Sequence, residues 1–254
     1  MADAGNFELL HRRYWGKGDE GWKAIYKRGS ITVPDLDEPM PGSSASPTEA
    51  MTEYEFLDLG PGFESFFAGN DTMLKEYLET LSHLTELCER GHGGAVLTGQ
   101  PGVGKTIFLY YVLVRRVLNA QITAFEDRPD QVYLPGPRFE SMQVISSQHY
   151  PGAWALSDSN DSLIKPNPSF TLQASCFFTL QAASPQPKRW YGWPKYREAA
   201  IVAIDLWSWT ELYIGASQFK FRHKAVDCEV LKHNFKKYSR SARAFYAFVG
   251  NVGR

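Results

Sequence analysis

The sequence predicts a three-layer α/β fold, a mainly parallel sheet covered by helices, with an N-terminal extension and a short C-terminal helical lid. Three observations lead there. Residues 99–106 read Gly99-Gln100-Pro101-Gly102-Val103-Gly104-Lys105-Thr106, a complete G-x-x-x-x-G-K-[ST] phosphate-binding loop between an apolar run and a long apolar helix. From residue 72 to residue 215, short apolar runs alternate with helical periods, as crossover connections between parallel strands require. The chain has 254 residues, 43% hydrophobic and 14% aromatic, enough to bury the core of such a fold.

Along the chain, the first thirty residues carry charges throughout and no apolar h-region, so no signal peptide is expected, and no segment reaches transmembrane length. Tyr14-Trp15 and Trp22 to Tyr26 suit a short helix or arm docked on the main domain. Residues 33–50, rich in Pro, Ser and acid, read as a disordered or loosely laid linker. These shifts divide the chain into an extension and linker at 1–53, a core at 54–216 and a basic helical lid at 217–254.

Asp71 suits the N-cap of a helix over 72–90, where Leu74, Tyr77, Leu78, Leu81, Leu84, Leu87 and Cys88 recur at three- and four-residue steps. Gly91 stands at its C′ position. Ala95 to Thr98 is the strand before the phosphate loop. Thr106 to Leu118, apolar on nearly every face, is a helix buried on two sides. Gln121 to Glu126 is the next strand, and Gln131–Leu134 and Met142–Ile145 are short strands in an insertion. His149 follows as a loop residue. Ala153–Asp158, Phe177–Ala182 and Ala200–Asp205 complete the strands. The phosphate loop is expected at the C-terminal end of strand 94–98, with Asp158 on a neighbouring tip of the same sheet.

The loop's glycines let successive N–H groups turn inward toward phosphates, Lys105 reaches the β- and γ-phosphates as a point charge, and Thr106 offers its hydroxyl to Mg²⁺. The helix that starts there directs its positive dipole end at the anion. Such a site needs a second element, an apolar strand ending in Asp that holds the metal's water shell. Asp158 and Asp205 compete. Hydrophobic pattern favours Asp205, preceded by five apolar residues; chain order favours Asp158, because the strand over 177–182 falls between them.

Composition narrows the classes further. Net charge is −1 and the pI near 6.6, so no global field points to nucleic acid or membrane. Cys88, Cys176 and Cys228 are scattered and lack C-x-x-C spacing, which suggests reduced thiols in an intracellular protein, cytoplasmic or nuclear. The last stretch is locally basic, with Lys220, Arg222, Lys224, Lys232, Lys236, Lys237, Arg240, Arg243 and Arg254 against Asp227 and Glu229. An amphipathic lid helix over 226–238 with a solvated basic face explains this better than a nucleic-acid surface. The pairs Trp190/Trp193 and Trp207/Trp209 read as packing.

In order, TGQPGVGKTIFLYYVLVRR, WALSDSN at 154–160, FFTLQAASP at 177–185, RWYGWPK at 189–195 and AIDLWSWTEL at 203–212 resemble the fungal P-loop NTPases related to Crinkler effectors and retrotransposon-hot-spot proteins. Tyr238-Ser239-Arg240-Ser241-Ala242-Arg243 looks like that group's G-P-S-A-R lid segment, with Ser239-Arg240 in place of Gly-Pro. The resemblance covers about residues 90–245. It implies an AAA+/STAND-like ATPase core in which Asp158 rather than Asp205 takes the metal, Gln181 or Ser184 ends the sensor strand, and Arg243 reaches the γ-phosphate from the lid. Larger members of the group carry an effector after the NTPase. This chain ends at Arg254, which suits a stand-alone switch, a divergent copy or a truncated product.

The expected function is ATP binding with slow Mg²⁺-dependent hydrolysis in a nucleotide switch. Ser159-Asn160 follow Asp158 where a Glu would activate water. The alternatives are a non-hydrolysing nucleotide-binding scaffold and an ATP-gated module that meets nucleic acid through the basic C-terminal segment. A homo-oligomer is compatible with this reading, nucleic acid is a less favoured partner, and no membrane is expected. The absence of an N-K-x-D guanine motif favours ATP.

Overall fold

The computed structural model describes residues 4–36, 50–63, 75–220, 227–238 and 242–249. Its centre is one sheet of seven strands, β3 (Gly94–Thr98), β4 (Thr123–Arg128), β5 (Gln131–Pro135), β6 (Phe139–Met142), β7 (Trp154–Asp158), β8 (Phe178–Ala182) and β9 (Ala200–Ala203). Their spatial order is β6-β5-β4-β7-β8-β3-β9. From β4 through β9 in that order every pairing is parallel, whereas β4, β5 and β6 pair antiparallel as an edge meander. The predicted mainly parallel α/β fold is therefore the observed one. Residues 98 and 157 share the sheet, but β8 lies between β3 and β7, so Asp158 is one strand further from the loop than expected.

Strand boundaries also differ from expectation, the last strand ending at Ala203 short of Asp205, and two of the differences have a visible cause. The strand after the loop helix begins at Thr123, because Gln121 is still engaged in the helix exit: its N–H bonds Arg116 O at 2.8 Å and Ala120 takes a left-handed turn at φ 53°. The last strand of the insertion is Phe139–Met142, three residues earlier in chain order than the expected Met142–Ile145. Pairing Val132 with Met142 and Pro135 with Phe139 closes the meander there.

Helix α1 (Ala4–Tyr14) and helix α2 (Gly18–Ile25) come first in the chain; α3 (Lys75–Glu89) precedes the loop and α4 (Lys105–Leu118) follows it. Helix α4 buries Phe108 through Val114 without a break, which requires apolar partners on two sides. On one side lie Leu97, Phe125, Leu156 and Leu180 of the sheet; on the other are α1, α2 and α3. Phe7 of α1 is fully buried and stacks on Tyr133 at 4.2 Å between ring centroids, with Phe125 at 5.0 Å. The aromatic N-terminal segment thus forms part of the helical layer.

Strands β1 (Tyr26–Val33) and β2 (Ala50–Leu57) pair antiparallel in a sheet of their own, so β2 crosses the compositional boundary at residue 53. This hairpin is tied to the C-terminal half by Trp209 Nε1 donating to Pro34 O at 2.8 Å and Tyr54 Oη donating to Gln218 Oε1 at 3.3 Å. Most of the expected linker, residues 37–49, lies outside the described residues, as does Asp71. The other sheet face carries thinner cover. Phe170, from a short helical turn, and Phe177, just before β8, seal one patch, and Trp193, from another short turn, seals a second.

The chain closes with α5 (Trp209–Ile214), α6 (Cys228–Tyr238) and α7 (Ala242–Val249). Helix α5 opens on a capping box, with Ser208 Oγ accepting from Glu211 N–H at 3.2 Å and Glu211 Oε2 accepting from Ser208 N–H at 2.6 Å. Ser239, Arg240 and Ser241 of the lid-like segment, and the basic residues Arg222, Lys224 and Arg254, lie outside the described residues. No helix among those described is long and apolar enough to cross a membrane.

Candidate functional site

The phosphate-binding motif leaves the C-terminal end of β3 and enters α4 through three glycines in left-handed backbone, Gly99 at φ 145°, Gly102 at φ 83° and Gly104 at φ 93°. A side chain is excluded at Gly104 on two counts: its φ, and a Cβ that would sit 2.6 Å from Tyr77 Oη. Tyr77 Oη donates to Gly104 O at 3.1 Å. Below the loop, buried Trp207 donates from Nε1 to Val103 O at 2.9 Å. Two aromatic groups from distant parts of the chain therefore grip the carbonyls of Val103 and Gly104.

Lys105 Nζ donates to Gly99 O and Gln100 O, each at 2.8 Å, so the ammonium lies folded over the loop. Burial lowers its pKa to about 8; the positive charge of Arg243 acts in the same direction and Asp158 opposes both. The structure thus brings Arg243, exposed on α7, within electrostatic reach of Lys105. Thr106, in the first turn of α4, donates from Oγ1 to Asp158 Oδ1 at 3.0 Å. Asp158 is nine-tenths buried, and burial raises its carboxyl to about 6; the Thr106 hydrogen bond and the Lys105 charge lower it, while Asp127 raises it.

Register explains the convergence. Leu97 on β3 and Asp158 on β7 are both aligned with Ala182 on the intervening β8, so the strand-end carboxylate stands level with the start of the loop. Leu156, two residues before Asp158, belongs to the core under α4, which places Asp158 on the α4 side of the sheet as well.

The other sequence candidates fall elsewhere. Asp205 lies just beyond β9, on the opposite side of β3, and is exposed. Gln181 is on the far face, where Trp193 Nε1 donates to its Oε1 at 2.7 Å and its Nε2 donates to Ser159 Oγ at 2.7 Å and Arg189 O at 3.0 Å. With its amide spent this way, Gln181 is a strut between β7, β8 and the segment after them. Ser184 Oγ, just past β8, is buried without a hydrogen-bond partner among the described residues. His149 ends a single 3₁₀ turn and is exposed, as a loop residue would be.

Three residues of the site were not singled out as contributors to it. Tyr77 and Trp207 had read only as packing residues, and nothing local indicates that their polar atoms meet the loop, 27 and 104 residues away. Asp127 follows Glu126, where the apolar pattern stops, and its neighbours Arg128, Pro129 and Asp130 signal a turn.

No family model matches the chain, and no curated protein does. The resemblance to the Crinkler-related NTPases therefore stands on the motifs quoted above and is not confirmed. Among solved structures, the chain is similar to the RuvB Holliday junction branch migration motor of Thermotoga maritima, with 16% identity and a TM-score of 0.39, covering 69% of this chain and 60% of that one. A mutant of the same RuvB gives 15% identity, a TM-score of 0.40 and the same coverage. The chain thus spans under two thirds of these proteins' length, and a likeness this distant bears on neither activity nor partners.

Proposed function

We propose that this chain binds Mg·ATP in the Gly99–Thr106 loop and hydrolyses it slowly, as a nucleotide switch of the AAA+/STAND type. The observation that carries the reading is the 3.0 Å hydrogen bond from Thr106 Oγ1 to Asp158 Oδ1. It joins the hydroxyl of a phosphate-binding loop to a strand-end carboxylate, beside a lysine and at the positive end of a helix. One hydroxyl and one carboxylate suit Mg²⁺, which keeps several waters and takes its other ligands from phosphate oxygens. The loop's shape suits a phosphate chain: its three glycines are in left-handed backbone, and Tyr77 and Trp207 hold the carbonyls of Gly104 and Val103.

When bound, the metal neutralises charge on the phosphate oxygens. The chain's own residues do the rest. Lys105 exchanges its two loop carbonyls for phosphate oxygens, Thr106 and Asp158 orient the metal's ligands, and Arg243 adds positive charge from α7. Hydrolysis is slow in this reading because neither Ser159 nor Asn160 can take a proton from water. Asn160 is also committed, its Nδ2 to Asp127 O and Asp158 O and its Oδ1 to the N–H groups of Ser162 and Leu163. Residues 217–254 act as the lid, and assembly into a homo-oligomer would let a neighbouring subunit supply a further arginine.

The test is ATP binding and steady-state hydrolysis for wild type and Lys105→Ala, with and without DNA or RNA. The reading expects Mg·ATP affinity to disappear in the variant while its thermal unfolding is unchanged, since a loop lysine contributes little to packing. Equal affinity in both proteins would move the nucleotide elsewhere. Hydrolysis stimulated by nucleic acid would instead favour the gated module.

A further inference from the structure

We infer that Asp127, at the tip of the strand beside β7, is the proton acceptor through which the slow residual hydrolysis runs, in place of the carboxylate missing directly after Asp158; this deepens the Mg·ATP reading and rests on it. Strands β4 and β7 are parallel and pair Phe125 with Leu156 and Glu126 with Ser157. Asp127 and Asp158 are the next residues on the two strands, at the C-terminal end of the sheet, and β4 is irregular against β5 between Phe125 and Arg128. The two strand tips lie side by side, and Asp158 is the one that accepts from Thr106.

Asp127 is also half satisfied. Its side chain is fully buried, and Arg128 Nε lies 3.0 Å from Oδ1. Oδ2 is buried with no hydrogen-bond partner among the described residues. An orphan carboxylate oxygen costs far more than an exposed one, and in native proteins such an atom marks an ordered water or a functional group. Here the water would sit beside the metal carboxylate. The charge of Asp127 reaches Asp158, since it helps raise that carboxyl. Asn160 Nδ2 donates to Asp127 O at 2.7 Å and to Asp158 O at 3.1 Å, clipping the two strand tips together. The residue that cannot serve as the base thus fixes the position of one that can.

In the step proposed, Asp127 Oδ2 accepts one proton of the water while the water oxygen bonds to the γ-phosphorus. The bond from that phosphorus to the β,γ-bridging oxygen breaks, and its electron pair leaves on ADP. The products are ADP and inorganic phosphate, and the proton passes from Asp127 to solvent.

The experiment compares wild type, Asp127→Asn and Asp127→Ala for Mg·ATP affinity, with a fluorescent ATP analogue, and for single-turnover hydrolysis. Asparagine keeps the shape and the Arg128 contact but is a far weaker proton acceptor. The expected result is unchanged affinity, within about twofold, with hydrolysis reduced by about 10²-fold or more, as removal of a positioned base gives. Hydrolysis near the wild-type rate in either folded variant overturns the inference. So does loss of affinity in step with rate, or failure of both variants to fold, either of which makes Asp127 structural. Wild type that binds ATP without turnover also overturns it, leaving the binding reading intact. Wild type that does not bind Mg·ATP removes that reading, and this inference with it.

Discussion

At the scale of single residues, the sheet buries polar groups that only a functional or finely balanced fold retains. Glu126 is buried on β4 next to Asp127, and burial raises its carboxyl to about 7. The Asn167 N–H, 2.8 Å from Oε1, and Ser157 pull the other way, and Asp127 adds to the rise. The sign follows from linkage. Between the ordinary carboxylate pKa and about 7 the folded state holds a proton that the unfolded chain has lost, so this contribution to stability is complete at low pH and falls as pH rises toward 7. Glu126→Gln keeps an acceptor for Asn167 and cannot ionise. Thermal melts from pH 5 to 8 should show the variant with a flatter profile and a higher melting temperature than wild type at pH 8. A steeper fall in the variant would mean that Glu126 is ionised in the fold.

The legibility of residues divides along the same line. Gly99 to Thr106 were readable because the motif is local and each residue type answers a demand of the phosphate chain. Asp158 was readable as one of two candidates, because a strand-end aspartate looks the same wherever its strand lies. Asp127 was not readable as part of the site, since its role depends on the parallel register of β4 and β7, a long-range fact absent from the run Phe125-Glu126-Asp127-Arg128.

At the scale of elements, the phosphate loop is held from outside. Trp207, between β9 and α5, and Tyr77, on α3, bind the carbonyls of Val103 and Gly104. Trp207→Phe preserves most of the packing and orphans the buried Val103 carbonyl, a cost of about 1–3 kcal/mol. Part of that cost should appear as weaker Mg·ATP binding in a titration, with little loss of secondary structure. Unaltered affinity would show that α4 alone orders the loop. On the other side of the same helix, α1 is structural. Phe7→Ala removes a fully buried ring from between Tyr133 and Phe125, and should destabilise by about 3–5 kcal/mol in urea unfolding. A change below about 1 kcal/mol would make α1 a loosely docked arm. The sequence indicated docking through its aromatic spacing, but Phe7 itself gave no sign that it completes the layer over α4. The β5–β6 hairpin was anticipated as an insertion, and its last boundary was displaced because the antiparallel register overrides the local apolar run at Val144-Ile145.

At the scale of the whole molecule, strand order decides which aspartate meets the loop. Both candidates end apolar runs, and by hydrophobicity Asp205 is the better strand end. In the sheet, however, β9 is the edge strand on the outer side of β3, and Ile204 N–H bonds Thr98 O at 3.0 Å as the chain leaves it. Asp205 is then carried past the loop into exposed chain leading to Trp207. Strand β7 lies on the inner side, beneath α4, so its terminal carboxylate meets the first turn of that helix. Asp158→Asn should therefore cut the residual hydrolysis sharply and weaken its Mg²⁺ dependence, whereas Asp205→Asn should leave both nearly unchanged. The measurement is the hydrolysis rate of each variant across a Mg²⁺ titration, with thermal unfolding to check the fold. If Asp205→Asn were the damaging change, the metal would have to sit on the β9 side of β3, and the 3.0 Å bond between Thr106 and Asp158 would be only a structural contact.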